Sequence, residues 1–264
     1  MTGPDWQDSE VDFERRFGGL RRLWGESAYL RVRAARVAVI GVGGVGSWAA
    51  EALVRCGISE LTLIDFDQIA ESNINRQIQA LGSTVGAAKV DVLRARCLDI
   101  HPGCVIRAVE EFATPENWPS LLPAPVDVVI DACDQSRTKR ALAAWAIESA
   151  SPLVIAGAAG GKSLPQAVEV ADLAEVTHDP LLAGLRQQMR RLIRERGLRV
   201  TPNRFGLRCV FSREAVVPSQ DQACATEGDG TLNCSGYGSS VMVTAAFGMA
   251  AAAEALRWLR QKQN

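Results

Sequence analysis

The chain has 264 residues, of which 47% are hydrophobic and 22% charged, enough length and apolar content for a folded protein with a substantial core. A formal net charge of -1 excludes global electrostatic steering toward nucleic acid, while leaving room for a local basic patch. Seven cysteines with no C-x-x-C pair argue against a disulfide framework and a four-cysteine zinc site.

The opening segment, MTGPDWQDSEVDFERR, is too acidic for a secretory signal, so a reducing, cytoplasmic setting is expected. Residues 1–35 pass from a polar tail into a helical arm, which Gly18 and Gly19 are expected to interrupt. Arg36–Ile40 reads as a short branched strand, Gly44–Arg55 as a helix closed by Cys56-Gly57, and Leu61–Asp65 as the next strand. This is a strand–helix–strand unit with a right-handed crossover. Further along come a helix over Gly86–Asp99, a strand over Val105–Val109 and a proline-rich loop over Thr114–Pro125. A strand over Val126–Asp131, a helix over Thr138–Ala150 and a strand over Leu153–Ala156 follow. The repeated alternation predicts an α/β fold with a Rossmann-like, mostly parallel sheet and an elaborated C-terminal lobe.

Beyond Gly161 the pattern loosens: a strand over Ala167–Val170, a basic amphipathic helix over Asp179–Arg196, a mobile loop over Gln220–Gly238 and a last helix over Val241–Leu259. The longest uncharged apolar run, Tyr237–Ala253, falls short of the ~18 residues of a membrane helix, so no stable membrane insertion is expected. The organisation expected is an arm (1–35), a nucleotide-binding core (36–161), an insertion with the basic helix and mobile loop (162–237) and a packing helix (238–264).

Gly41, Gly43 and Gly46 form G-x-G-x-x-G between a strand and a helix, the context in which helix N-terminal amides meet phosphate. Asp65, nineteen residues beyond Gly46, stands where a carboxylate accepts ribose hydroxyls, and Asp67 is placed to arrange Mg2+ or phosphate ligands. NAD would satisfy these features equally. Asn73, Asn75, Arg76 and Gln77, with Lys89 on the next helix, add the donors and positive charge that a departing pyrophosphate requires. Asp131 and Asp134, at the end of the fourth strand, are candidates to bind Mg2+ or orient ATP, Asp131 before Asp134, and Cys133 between them reads as packing. Residues 157–163 only superficially end like a P-loop, because Ala156 stands where the first glycine is needed. His101 and His178 lack a metal constellation.

The set Gly41, Gly43, Gly44, Gly46, Asp65, Asp67, Asn73, Asn75, Arg76, Gln77, Lys89 and Asp131 resembles the E1-like ATP-dependent activating enzymes over residues 12–259. Within that superfamily the stretches 16–25, 41–53, 73–81, 157–161, 172–181, 209–215 and 233–238 resemble the tRNA threonylcarbamoyladenosine dehydratases. The resemblance implies one E1-like domain over 1–264. It also implies ATP-dependent cyclisation of N6-threonylcarbamoyladenosine at position 37 of tRNA, with ATP and Mg2+ held by the residues above and Arg76, Lys89 and Asp131 catalytic. It further implies a homodimer, partnership with a cysteine desulfurase and its sulfur acceptor, and a monovalent cation (K+ or Na+) on the carbonyls of the 220–238 loop.

The carboxylate would be activated as an acyl-adenylate or an acyl phosphate, and a carbamoyl nitrogen or oxygen would then close the ring intramolecularly. Cys234, in a glycine-rich segment, is a candidate thiolate to intercept the activated acyl group. Nine arginines against one glutamate between Arg186 and Arg213 offer a phosphate-tracking surface for tRNA. The alternatives are an adenylyltransferase for a small sulfur-carrier protein, whose usual zinc cysteines are missing, a nicotinamide-dependent dehydrogenase, and a non-catalytic tRNA-binding protein.

Overall fold

The computed structural model describes residues 12–198, 204–216 and 237–261. Seven strands, β1 (Arg36–Ile40), β2 (Glu60–Ile64), β3 (Val105–Val109), β4 (Val128–Asp131), β5 (Leu153–Ala156), β6 (Val168–Asp172) and β7 (Arg208–Ser212), form one sheet in the order β3-β2-β1-β4-β5-β7-β6. All pairings are parallel except β6 with β7. The mostly parallel α/β sheet expected from the alternation is therefore present.

The central strands are nearly continuous runs of apolar residues because both of their faces are covered. Alternation along each strand sends Val37 and Val39 to one core and Ala38 and Ile40 to the other. The first core is closed by α2 (Glu26–Arg33), α3 (Gly46–Arg55), α4 (Lys89–Ile100) and α7 (Val241–Gln261). The second is closed by α5 (Ser136–Ser149) and α6 (Pro180–Arg196). Asp179 starts α6 as its N-cap, its Oδ1 accepting the Leu182 amide at 3.0 Å while Oδ2 accepts the Ala158 amide at 2.8 Å.

Several sequence expectations are corrected. Helix α1 (Phe13–Trp24) runs unbroken through Gly18 and Gly19, because the energetic cost of two helical glycines is small beside the packing of Phe17 into the core. The break falls at Gly25, whose φ of +78° is open to glycine and ends the helix. Residues 86–88 precede α4 as a turn instead of belonging to it. Strand β7 was not anticipated: its arginine-rich surroundings read as a basic surface, yet Cys209, Val210 and Phe211 are buried.

The arginine excess around β7 is also reduced by pairing. Arg208 binds Glu254 at 2.7 Å, Arg213 binds Glu169 at 2.7 Å, Arg191 binds Glu195 at 2.6 Å, and Arg196 pairs with Glu148. The 220–238 loop, where a monovalent cation is expected, lies outside the described residues except for 237–238, and Cys234 lies outside them too. Among the described residues, no helix is long and apolar enough to cross a membrane.

The arm is locked to the end of α4. His101 is buried, with ring centroids 5.4 Å from Phe13 and 4.8 Å from Phe17, and its Nε2 lies 2.9 Å from Arg33 Nη1. The guanidinium can only donate, so Nε2 accepts and the imidazole is neutral. Burial, with repulsion from Arg33 and Arg16, lowers the His101 pKa to about 4. The unfolded imidazole takes up a proton near pH 6.5 whereas the folded one resists it, so this stability is complete above about pH 6.5 and is lost as pH falls toward about 4. Urea unfolding between pH 7 and 4 should show a decline on the order of 2 kcal/mol that His101→Leu flattens; an unchanged pH slope in the variant would refute this role.

Candidate active site

Strand order reverses between β1 and β4, and the two chains leaving those strands part there, opening a crevice at the C-terminal edge of the sheet. Gly41 follows β1 with φ +80°, and a Cβ on it would press against the backbone of Ala132 and Cys133. At Gly46, the first residue of α3, a Cβ would overlap the Gly41 carbonyl oxygen. The turn is held from both sides at Val42: its amide donates to Asp65 Oδ2 at 2.7 Å, and its carbonyl accepts Gln79 Nε2 at 2.8 Å. Asp65 Oδ1 takes the Asp67 amide at 2.9 Å. Each Asp65 oxygen thus retains acceptor capacity for a ligand hydroxyl.

Gly41, Gly43, Gly44, Asp65, Asp67, Arg76, Gln77 and Lys89 all line this one cleft. Lys89, the first residue of α4, is buried and its Nζ lies 2.6 Å from Asp67 Oδ2. Arg76 reaches the cleft from a 3-10 turn, with Nη1 donating to the Ser72 carbonyl at 2.7 Å and to Asn75 Oδ1 at 2.9 Å. Asn75 Nδ2 in turn donates to the Ser239 carbonyl at 2.8 Å, tying this turn to the start of α7. Burial raises the Asp65 pKa, an effect that Lys89 and the Asp67 and Val42 amides oppose, and burial lowers that of Arg76.

Four candidates are not brought into the wall: Gly46, Asn73, Asn75 and Asp131. Gly46 lies beneath the turn as a packing residue, and Asn73 Oδ1 accepts the Ala70 amide at 3.1 Å, holding the turn that carries Arg76. The expectation of a catalytic, metal-binding Asp131 is corrected. Asp131 is fully buried; Oδ2 pairs with Lys139 Nζ at 2.8 Å, and Oδ1 accepts the Cys133 amide at 3.1 Å and its thiol at 2.9 Å. The carboxylate that β4 presents to the cleft is that of Asp134. Its pKa is raised by burial and further by Asp67, while Lys139 and Lys89 pull it down. Cys133 borders the cleft, but burial and then the Asp131 charge push its pKa well up, so it is a thiol donor and no nucleophile.

Other wall residues had no motif to announce them: Glu111 and Phe112 beyond β3, Gln135 and Thr138 at the start of α5, and Thr244, whereas the 157–160 turn, Leu181 and Tyr237 fall in stretches that carried the family resemblance. Their signal is positional, since loops leaving the C-terminal ends of neighbouring parallel strands converge on one crevice. Phe112 packs against Phe66, their ring centroids 4.9 Å apart and the planes tilted by 43°, placing an aromatic pair beside Asp65. Lys162 is absent from the lining; it is buried and donates to the Ser212 carbonyl at 3.1 Å. Among the described residues, no group of three or more His, Cys, Asp and Glu is arranged to hold a metal ion by itself.

Gly46→Ala should lower stability by about 1–3 kcal/mol, from overpacking against the Gly41 carbonyl, and abolish the thermal shift that ATP induces. Differential scanning fluorimetry with and without ATP checks both; an intact ATP shift would contradict the role given to this turn.

The ThiF family model matches residues 17–264. The chain is 43% identical over 258 residues to the tRNA threonylcarbamoyladenosine dehydratase of Escherichia coli (strain K12), covering 95% of each protein. It is 39% identical over 256 residues to that of Haemophilus influenzae (strain ATCC 51907 / DSM 11121 / KW20 / Rd), covering 96% of each. A crystal structure of the E. coli dehydratase in complex with ATP matches with a TM-score of 0.82 and 41% identity over 94% of both chains.

Proposed function

The chain belongs to the ThiF family, and from that premise we propose that it is an ATP-dependent tRNA threonylcarbamoyladenosine dehydratase. The reading rests on full-length similarity to proteins of that name and on an ATP-bound structural relative. The observation that carries it within this chain is the convergence of Asp65, Arg76, Lys89 and Asp134 on one cleft above a glycine turn too tight for any side chain at Gly46.

The cleft fits ATP in charge and shape. Gly41, Gly43 and Gly44 bring backbone close to the phosphates, and the remaining lone pairs of Asp65 suit ribose hydroxyls. The Phe66–Phe112 pair offers an apolar wall for the base. Lys89 and Arg76 supply positive charge where negative charge grows on the departing phosphate, a role that requires Lys89 to exchange its Asp67 partner for phosphate oxygens. Asp134 and Asp67 would hold Mg2+, an ion that commonly takes one or two protein carboxylates, and it would supply positive charge against the phosphates.

In this reading a carboxylate oxygen of the threonyl group attacks a phosphorus of ATP, displacing pyrophosphate from the α-position or ADP from the γ-position, and makes a mixed anhydride. The carbamoyl group then attacks the activated carbonyl and gives up its proton, and AMP or inorganic phosphate departs with that oxygen, so the nucleoside loses the elements of one water. Holding both groups on one substrate makes ring closure unimolecular.

The resemblance supports three further elements of the proposal: a homodimer, a cysteine desulfurase with its sulfur acceptor, and a monovalent cation; the acidic opening segment and the cysteine pattern support a cytoplasmic setting. Cys234 is proposed as a thiol able to receive the acyl group before the ring closes.

Incubation with ATP, Mg2+ and tRNA bearing N6-threonylcarbamoyladenosine, followed by mass spectrometry of the nucleosides, should show ATP-dependent loss of one water. Lys89→Met should lower kcat by about 100-fold, the scale on which removing one preorganised charge donor acts. Intact nucleoside with a folded, ATP-binding protein would refute the assignment.

A further inference from the structure

The ion pair between Asp131 and Lys139 has both side chains fully withdrawn from solvent, and the chemistry described above makes no use of it. Lys139, in the first turn of α5, also donates to the Ala156 carbonyl at 3.0 Å, so one ammonium joins the end of β4 to the end of β5. Burial disfavours the Lys139 ammonium, but the Asp131 carboxylate, together with Cys133 and Cys209, holds its pKa above the ordinary value. Both Asp131 oxygens are engaged, one by Lys139 and the other by the amide and thiol of Cys133.

Burying such a pair is a poor way to gain stability. Desolvation offsets most of the attraction, and well-packed apolar residues commonly serve as well or better. What the pair supplies is geometry. The amide it holds lies in the turn between Asp131 and Asp134, and Ala132, Cys133 and Asp134 all line the cleft. Ala156, held by the same lysine, opens the 156–160 stretch of the opposite wall.

We propose that Asp131 is a positioning residue: it fixes the 132–134 turn and so sets where Asp134 would hold Mg2+ against the reacting phosphate, while Lys139 balances its buried charge. The inference rests on the reading of the cleft as the ATP site. In the absence of the Asp131 acceptor, the Cys133 amide must find another partner and the turn shifts. A carboxylate displaced by about 1 Å from its productive place can cost on the order of 100-fold in rate without loosening substrate binding comparably.

Lys139→Met alone would strand a buried carboxylate and report folding more than position. Two double variants separate these effects, because neither leaves an unpaired buried charge. Asp131→Asn with Lys139→Met keeps a side-chain carbonyl for the Cys133 amide, whereas Asp131→Leu with Lys139→Met removes it. Melting temperature, ATP affinity by calorimetry, and kcat for water loss by mass spectrometry are read for each.

The proposal predicts similar melting temperatures and little change in ATP affinity for both double variants. It predicts a kcat near wild type for the asparagine form and a fall of about 100-fold for the leucine form. Equal kcat values in the two forms, or losses that track melting temperature, would overturn it and leave the pair a structural contact. If the wild type converts no tRNA, the dehydratase reading falls, and the positioning role falls with it.

Discussion

The architecture depends on a parting of neighbours. β1 and β4 lie side by side in parallel, but β1 leads to α3 on one face of the sheet and β4 leads to α5 on the other. Among the described residues a crevice is left above their ends, where polar groups meet a ligand without crossing the core. The glycine turn can enter that space only because Gly46 sits on the Gly41 carbonyl with no side chain between. Asp65 and Gln79 then grip Val42 from opposite sides, so the turn is set before any ligand arrives. Rigid positioning of this kind lets backbone amides act on developing charge with little reorganisation.

Electrostatics around the crevice follow from the same layout. Asp65, Asp67, Lys89 and Asp134 stand on the ends of adjacent elements and feel one another's charge. Partial burial raises the pKa values of Asp65 and Asp134 while the Lys89 ammonium opposes the rise, leaving a site that is charged but poorly solvated. The fully sealed Asp131–Lys139 pair belongs to the supporting layer beneath, where it joins two strand ends.

Much of this was legible in the sequence because the strong signals were local. β1, β3 and β5 were read with their observed bounds, since short branched runs beside glycine or proline leave little choice. The G-x-G-x-x-G turn and its acidic strand end were equally plain. What escaped depended on partners distant in the chain. Arg208 reads as surface charge until Glu254 is seen 2.7 Å away, and β7 was hidden among such arginines. Asp131 and Asp134 are two plausible carboxylates three residues apart, and only Lys139 from α5 decides which of them turns inward. Gly18 and Gly19 looked like a break because propensity was visible and the docking of Phe17 was not.

The most direct test of the account is a crystal structure of the protein with a non-hydrolysable ATP analogue and Mg2+. The account predicts phosphates lying along Gly41–Gly44, the metal on Asp134, and Asp131 still paired with Lys139. A nucleotide bound away from the β1–β4 crevice, or a metal ligated by Asp131 with its lysine displaced, would contradict it.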